Sequence, residues 1–190
     1  TGRTIEDVVA EIVALAEAAE ETARALSAEL GVMVSVSALI DGDRVRLVKT
    51  SGEGSLTVSE SVEAAPGGMW IATGRVMAAY ADEKALARII EKNGLPGERW
   101  PEGADAKSLK RRLAEIREAG VADMLSGDGQ VETLAAPVFE PGGAVAAAVG
   151  LAAPAHRLKG AERQRCVSAL RAAAERMTAA LRLRMGRADG

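Results

Sequence analysis

Nucleophilic catalysis has little to work with in this 190-residue chain, which carries one cysteine, Cys166, and one histidine, His156. A Cys or Ser nucleophile needs a base within hydrogen-bond reach. His156 follows Pro154 and Ala155 in an expected surface turn, and Cys166 falls on the apolar side of a helical stretch, so the two do not form a pair. A lone thiol excludes an internal disulfide, and one His with one Cys gives no zinc set. The sequence contains neither a G-x-x-x-x-G-K-[ST] loop nor a strand-placed G-x-G-x-x-G. The basic run Lys107, Lys110, Arg111 and Arg112 alternates with Glu115 and Glu118 at helical spacing and lacks aromatic neighbours for base stacking, which reads as a solvated helix face. What remains is binding chemistry. Gly67 and Gly68 precede the first turn of an expected helix, and Ala72, Thr73 and Gly74 lie within it, with no Asp or Ser to cap it. Unpaired N–H groups and the positive end of the helix dipole would suit a carboxylate or another anion there. The same small residues would equally let that helix pack close to a sheet.

The elements that must position these groups follow from periodicity. Apolar residues at three- and four-residue spacing predict a long amphipathic helix over 4–30, with Thr4 as N-cap and Gly31 as terminator. Alternation over 32–40, then Asp41-Gly42, then 44–49 predicts a β-hairpin. Residues 51–68 are glycine-rich and loop-like around a short strand-like piece at 55–58, and such loops tend to carry binding contacts. Helices are expected at 69–81, at 83–93, and at 105–119 behind an Asp105 cap and before Gly120. A surface connection at 95–104 carries Trp100, strands follow at 121–125, 131–139 and 144–153, and a helix at 160–184 closes the chain. This order predicts an α+β fold, an antiparallel sheet with helices on its faces.

Composition agrees with one ordinary globular domain over 1–190: hydrophobic residues make up 48%, charged residues 27%, and the net charge is −3. That balance lacks the basic footprint of a DNA-reading module. No run of about 18 apolar residues predicts a membrane span, and no N-terminal leader pattern is present, which fits a cytoplasmic, metal-free and cofactor-free protein. Thr1 in place of Met points to a fragment or a processed form of a protein.

The stretch 132–153 reads as two nearly all-apolar strands around the turn Glu140-Pro141-Gly142-Gly143, with Gly142 expected to take the positive φ. A hairpin this apolar belongs in the middle of a sheet. Ala135, Ala136, Ala146, Ala147, Ala148, Gly150, Ala152 and Ala153 stand where a simple core would favour larger β-branched residues, and the expectation is that they leave room for a ligand.

IREAGVA at 116–122, AAPVFEPGGAVAAAVGLAAP at 135–154 and ATGRVMAA at 72–79 resemble, in order and spacing, the C-terminal effector-binding domain of IclR-family bacterial transcription regulators. The resemblance spans about 4–184. It implies a GAF-like sheet flanked by helices, a small organic effector, self-association as a dimer or tetramer, and DNA contact only through an N-terminal winged helix-turn-helix that this chain does not contain. It also implies that Asp123, Thr133, Gly150 and Ala152 line the effector pocket, with Ala72, Thr73 and Gly74 at its helix end. Leu56, Val58, Met69, Trp70 and Met77 would supply an apolar wall. Family members that bind small oxo-acids typically show Ser at the two last-strand positions, here Gly150 and Ala152. Losing two hydroxyls predicts a roomier, more apolar pocket for a bulkier or aromatic acid, since a buried oxygen without a partner costs about 1–3 kcal/mol. The rival expectation is a stand-alone GAF-like ligand-binding or interaction module.

Overall fold

The computed structural model describes residues 5–40, 42–50 and 68–188. The first helix, α1 (Ile5–Leu30), buries Leu15, Ala19, Ala23, Leu26 and Leu30 along one stripe and ends where Gly31, at φ +62°, donates its N–H to the Ser27 carbonyl. Strands β1 (Met33–Ile40) and β2 (Asp43–Lys49) form the expected hairpin. A 3-10 turn at Gly68–Trp70 leads into α2 (Ala72–Tyr80). The helix expected over 69–81 therefore starts three residues later, because Ile71 is extended at φ −125° and breaks it from the turn. Next come α3 (Glu83–Asn93), two 3-10 turns at Gly97–Arg99 and Pro101–Gly103, and α4 (Ala106–Ala119). Asp105 caps α4 as predicted, accepting from the Lys107 and Ser108 backbone N–H groups. The chain finishes with β3 (Ala122–Leu125), β4 (Val131–Phe139), β5 (Val145–Pro154) and α5 (Gly160–Ala188).

The five strands run antiparallel in the order β2-β1-β5-β4-β3, so the apolar hairpin β4–β5 is interior, as the sequence predicts, and β3 is an edge. Its turn differs in one detail. Gly143, not Gly142, takes the positive φ of +85°, in a three-residue loop where Glu140 N–H bonds the Ala144 carbonyl and Gly143 N–H bonds the Glu140 carbonyl.

Strand alternation divides the small residues between two cores. Leu134, Ala136, Val138, Ala147, Val149, Leu151 and Ala153 face α1 and α5, whereas Ala135 and Ala148 face α2 and α4. The space that the small residues leave is thus occupied by helices packed close against both faces. Trp100, placed by its sequence context on a surface connection, is 1% exposed and is a fully buried part of the α2–α4 core. The two 3-10 turns flanking it fold the segment inward, and the Arg75 guanidinium lies 4.1 Å from its ring centre. The strand-like piece at 55–58, with Leu56 and Val58, lies outside the described residues.

Candidate functional site

The α2 end of the fold is built by close approach. A Cβ on Gly74 would stand 1.6 Å from the Gly68 carbonyl oxygen, so only glycine fits there. A Cβ on Gly150 would stand 2.7 Å from Thr73 Cγ2, which places Thr73 of α2 directly over the middle of β5. Ala72 and Met69 are buried behind it. No side chain caps α2, and the Thr73 hydroxyl, 4% exposed as a residue, has no hydrogen-bond partner among the described residues. An uncapped helix start beside an unpaired buried hydroxyl is where a ligand oxygen would be satisfied.

Directly opposed residues in a sheet project to the same face, so the register gives the rest of this surface. One row runs Lys49, Ser35, Gly150, Ala135. The next runs Met33, Ala152, Thr133, Met124, all half-buried, with the Thr133 hydroxyl donating to the Met124 carbonyl at 3.4 Å. On the other side of the Ser35 row, Ser37 stands between Arg46 and Ala148. The Arg44 Nη1 donates to Ser37 Oγ at 2.9 Å. Burial, then the like charge of Arg46, lowers the Arg44 pKa to about 10.

Of the residues the sequence named, Thr73, Thr133, Gly150 and Ala152 thus share the α2 face. Asp123 projects elsewhere: it opposes Leu134, which belongs to the α1–α5 core, and its carboxylate accepts from Arg163 Nη2 of α5 at 2.7 Å. Only its carbonyl reaches toward α2, accepting from Arg75 Nη1 at 2.6 Å. Trp70 is half-buried under the Arg99 guanidinium, 4.1 Å above its ring. Gly74 is filled by Gly68 and offers no space. Sequence reasoning passed over Ser35, Ser37 and Arg44, whose alternation with apolar residues was the available signal, and over Trp100, which carried none.

A cleft of about 390 Å³ lies beside β3, lined by Arg75, Arg99, Trp100, Arg112, Met124 and Leu125 together with Glu102, Asp123 and Glu132. Several of its charges are paired with residues outside it: Arg163 holds both Asp123 and Glu132, and Arg112 pairs with Glu115. Arg75, lowered to about 10 by burial, has Asp123 and Glu102 acting in the opposite direction. Among the described residues no group of His, Cys, Asp and Glu is arranged to hold a metal ion, and no helix is long and apolar enough to cross a membrane. Cys166 is buried and its thiol is pushed up by burial, then by Glu162, which makes it a core residue and not a nucleophile.

A five-stranded antiparallel sheet with long terminal helices on one face and shorter helices on the other is the architecture of solved IclR-family C-terminal domains. The chain belongs to the IclR family of bacterial transcriptional regulators: residues 8–179 match the family described as bacterial transcriptional regulator IclR, C-terminal. Among solved structures it is similar to an IclR transcriptional regulator from Silicibacter sp. TM1040, at 24% identity and a TM-score of 0.75, covering 88% of this chain and 66% of that one. It is also similar to the C-terminal domain of the E. coli transcriptional regulator KdgR, at 23% identity and a TM-score of 0.71, covering 88% and 98%. A third similar structure is the inducer-binding domain of the transcription factor PobR from Acinetobacter, a double mutant in complex with 3-hydroxybenzoic acid, at 18% identity and a TM-score of 0.68, covering 84% and 95%. No curated protein matches the sequence. The chain therefore spans about two thirds of the Silicibacter regulator and nearly the whole of the two domains.

Proposed function

We propose that this chain is the effector-sensing part of a transcription regulator, binding a small organic acid on the α2 face of the sheet and passing the signal through α1 to a DNA-binding domain. The observation that carries the reading is the half-buried strip Met33, Ala152, Thr133 beside the unpaired Thr73 hydroxyl. Buried polar groups are ordinarily satisfied, and one facing a half-covered polar and apolar strip suits a ligand with both characters. Ala152 carries no hydroxyl and Gly150 is covered by Thr73, so the half-buried part of β5 presents an apolar floor that fits a bulkier or aromatic acid. The PobR domain bound to 3-hydroxybenzoic acid is a neighbour in fold that points the same way. The mechanism is population shift: a ligand wedged between α2 and the sheet favours one arrangement of the helices over another.

The test is a thermal-shift screen against aromatic acids and small oxo-acids. A ligand at 100 times its Kd stabilises by about 2.7 kcal/mol, a rise of roughly 5–11 °C for a domain of this size. Thr133→Val should weaken a hit and Lys110→Ala, on the exposed face of α4, should not. No shift with any acid would sink the reading.

A further inference from the structure

On the same face of the sheet one buried cation has no acidic partner among the described residues. Arg44 opposes Leu39, which packs against the α2–α4 core, and its side chain leans toward Arg46 to donate Nη1 to Ser37 across the hairpin. It is 8% exposed, and its Nε has no hydrogen-bond partner among the described residues. The neighbouring Asp43 does not serve it, because that carboxylate is exposed and held by Lys92 at 2.8 Å. The charge that bears on Arg44 is Arg46, of the same sign. The contrast with Arg75 decides the matter. Arg75 is equally buried, yet it donates to two carbonyls, stacks on Trp100 and has Asp123 and Glu102 within electrostatic reach. A buried guanidinium without an anion is costly, and it calls for a ligand that supplies one.

Arg44 is also held in place. A Cβ on Gly42 would meet the Arg88 backbone at 3.3 Å, and Asn93 Nδ2 donates to the Gly42 carbonyl at 3.3 Å, so α3 fixes the β1–β2 turn. From there the register sets Ser37 two residues from Ser35, with Gly150 beside Ser35 and Thr73 over Gly150. The two unpaired donors, Arg44 Nε and Thr73 Oγ1, thus bracket the Ser35–Ser37 stretch of β1.

We propose that Arg44 is the acid-recognising residue of the effector pocket, receiving the ligand's carboxylate on β1 with Ser35 and Thr73 as neutral partners. This rests on the effector reading above and adds the specificity determinant: the polar end of the ligand is gripped from the β1–β2 hairpin, and β5 supplies the apolar floor. An acid is bound and its uncharged analogue is discriminated against, because only the acid compensates the buried cation.

The experiment is calorimetric titration of the 190-residue chain with benzoate, 3-hydroxybenzoate and pyruvate, each beside its amide. The wild type should bind at least one acid at least tenfold more tightly than its amide. Arg44→Met should lose that preference, weakening the acid tenfold or more while leaving the amide within about threefold. Arg44→Lys, which keeps the charge and is the deciding variant if the Met form does not fold by circular dichroism, should retain only part of the preference. Equal loss for acid and amide would make Arg44 a packing residue and overturn the proposal. An unchanged acid preference in Arg44→Met, or in Arg44→Lys where Met does not fold, would also overturn it, while the effector reading stands. Absence of binding by every acid and amide to the wild type would overturn both.

Discussion

Two contacts decide what the α2 end tolerates. Gly150→Ala would press a methyl against Thr73 Cγ2 at 2.7 Å and the Leu134 carbonyl at 3.2 Å, so it should cost about 1–3 kcal/mol, as overpacking does. Thr73→Ala removes both the methyl in the way and the unpaired hydroxyl, so the double variant should recover much of that loss, a non-additivity readable in urea titrations. Gly74→Ala has no such rescue, because the obstacle is the Gly68 carbonyl at 1.6 Å, and it should destabilise more than Gly150→Ala in the same titration. The same contacts explain how far the site was legible. ATGRVMAA showed that small residues start α2, but spacing alone could not say that Gly74 serves the turn before it while Gly150 serves Thr73.

The elements are held by their ends. Asp105 forms a full capping box with Ser108 at the start of α4, and the Ser108 backbone and hydroxyl, ahead of the Lys107 backbone, keep its carboxyl below the usual range. A depressed carboxylate stabilises above its unfolded pKa and loses that contribution as pH falls through the folded value. Asp105→Ala should therefore lower the Tm at pH 7, and the difference from wild type should shrink as the pH drops below about 4. A gap that persists unchanged at pH 2 would assign the effect to helix propensity instead. Arginines do similar work elsewhere: Arg157 donates to the Leu30 and Gly31 carbonyls after α1, Arg117 to the Ala79 carbonyl of α2, and Arg171 to the Ala119 carbonyl of α4. Asp105 and Gly31 were readable because caps act within a few residues. The arginine clamps were not, since each joins residues far apart in sequence.

For the whole molecule, both cores share the β4–β5 hairpin, whose alternate residues pack against α1 and α5 on one side and α2 and α4 on the other. One cooperative unfolding transition is expected. Trp70 and Trp100 report only on the α2–α4 side, while far-UV circular dichroism is dominated by α1 and α5, so the two signals should coincide in denaturant. Separate midpoints would mean that the faces melt independently. Cys166, buried against the sheet in the α1–α5 core, should stay unreactive to thiol reagents until the same transition. The sequence by itself determined the order of the elements, the central place of the apolar hairpin, the terminating glycine of α1, the caps of α4, and through its motifs the family, because periodicity, turn chemistry and short motifs are local. Only the tertiary structure decided which residues face each other. Asp123 and Thr133 lie on adjacent strands, but the register turns one to α5 and the other to α2. It likewise buried Trp100 and left Arg44 and Thr73 each with a donor unpaired among the described residues, since burial and partnership depend on contacts between elements that no local pattern encodes.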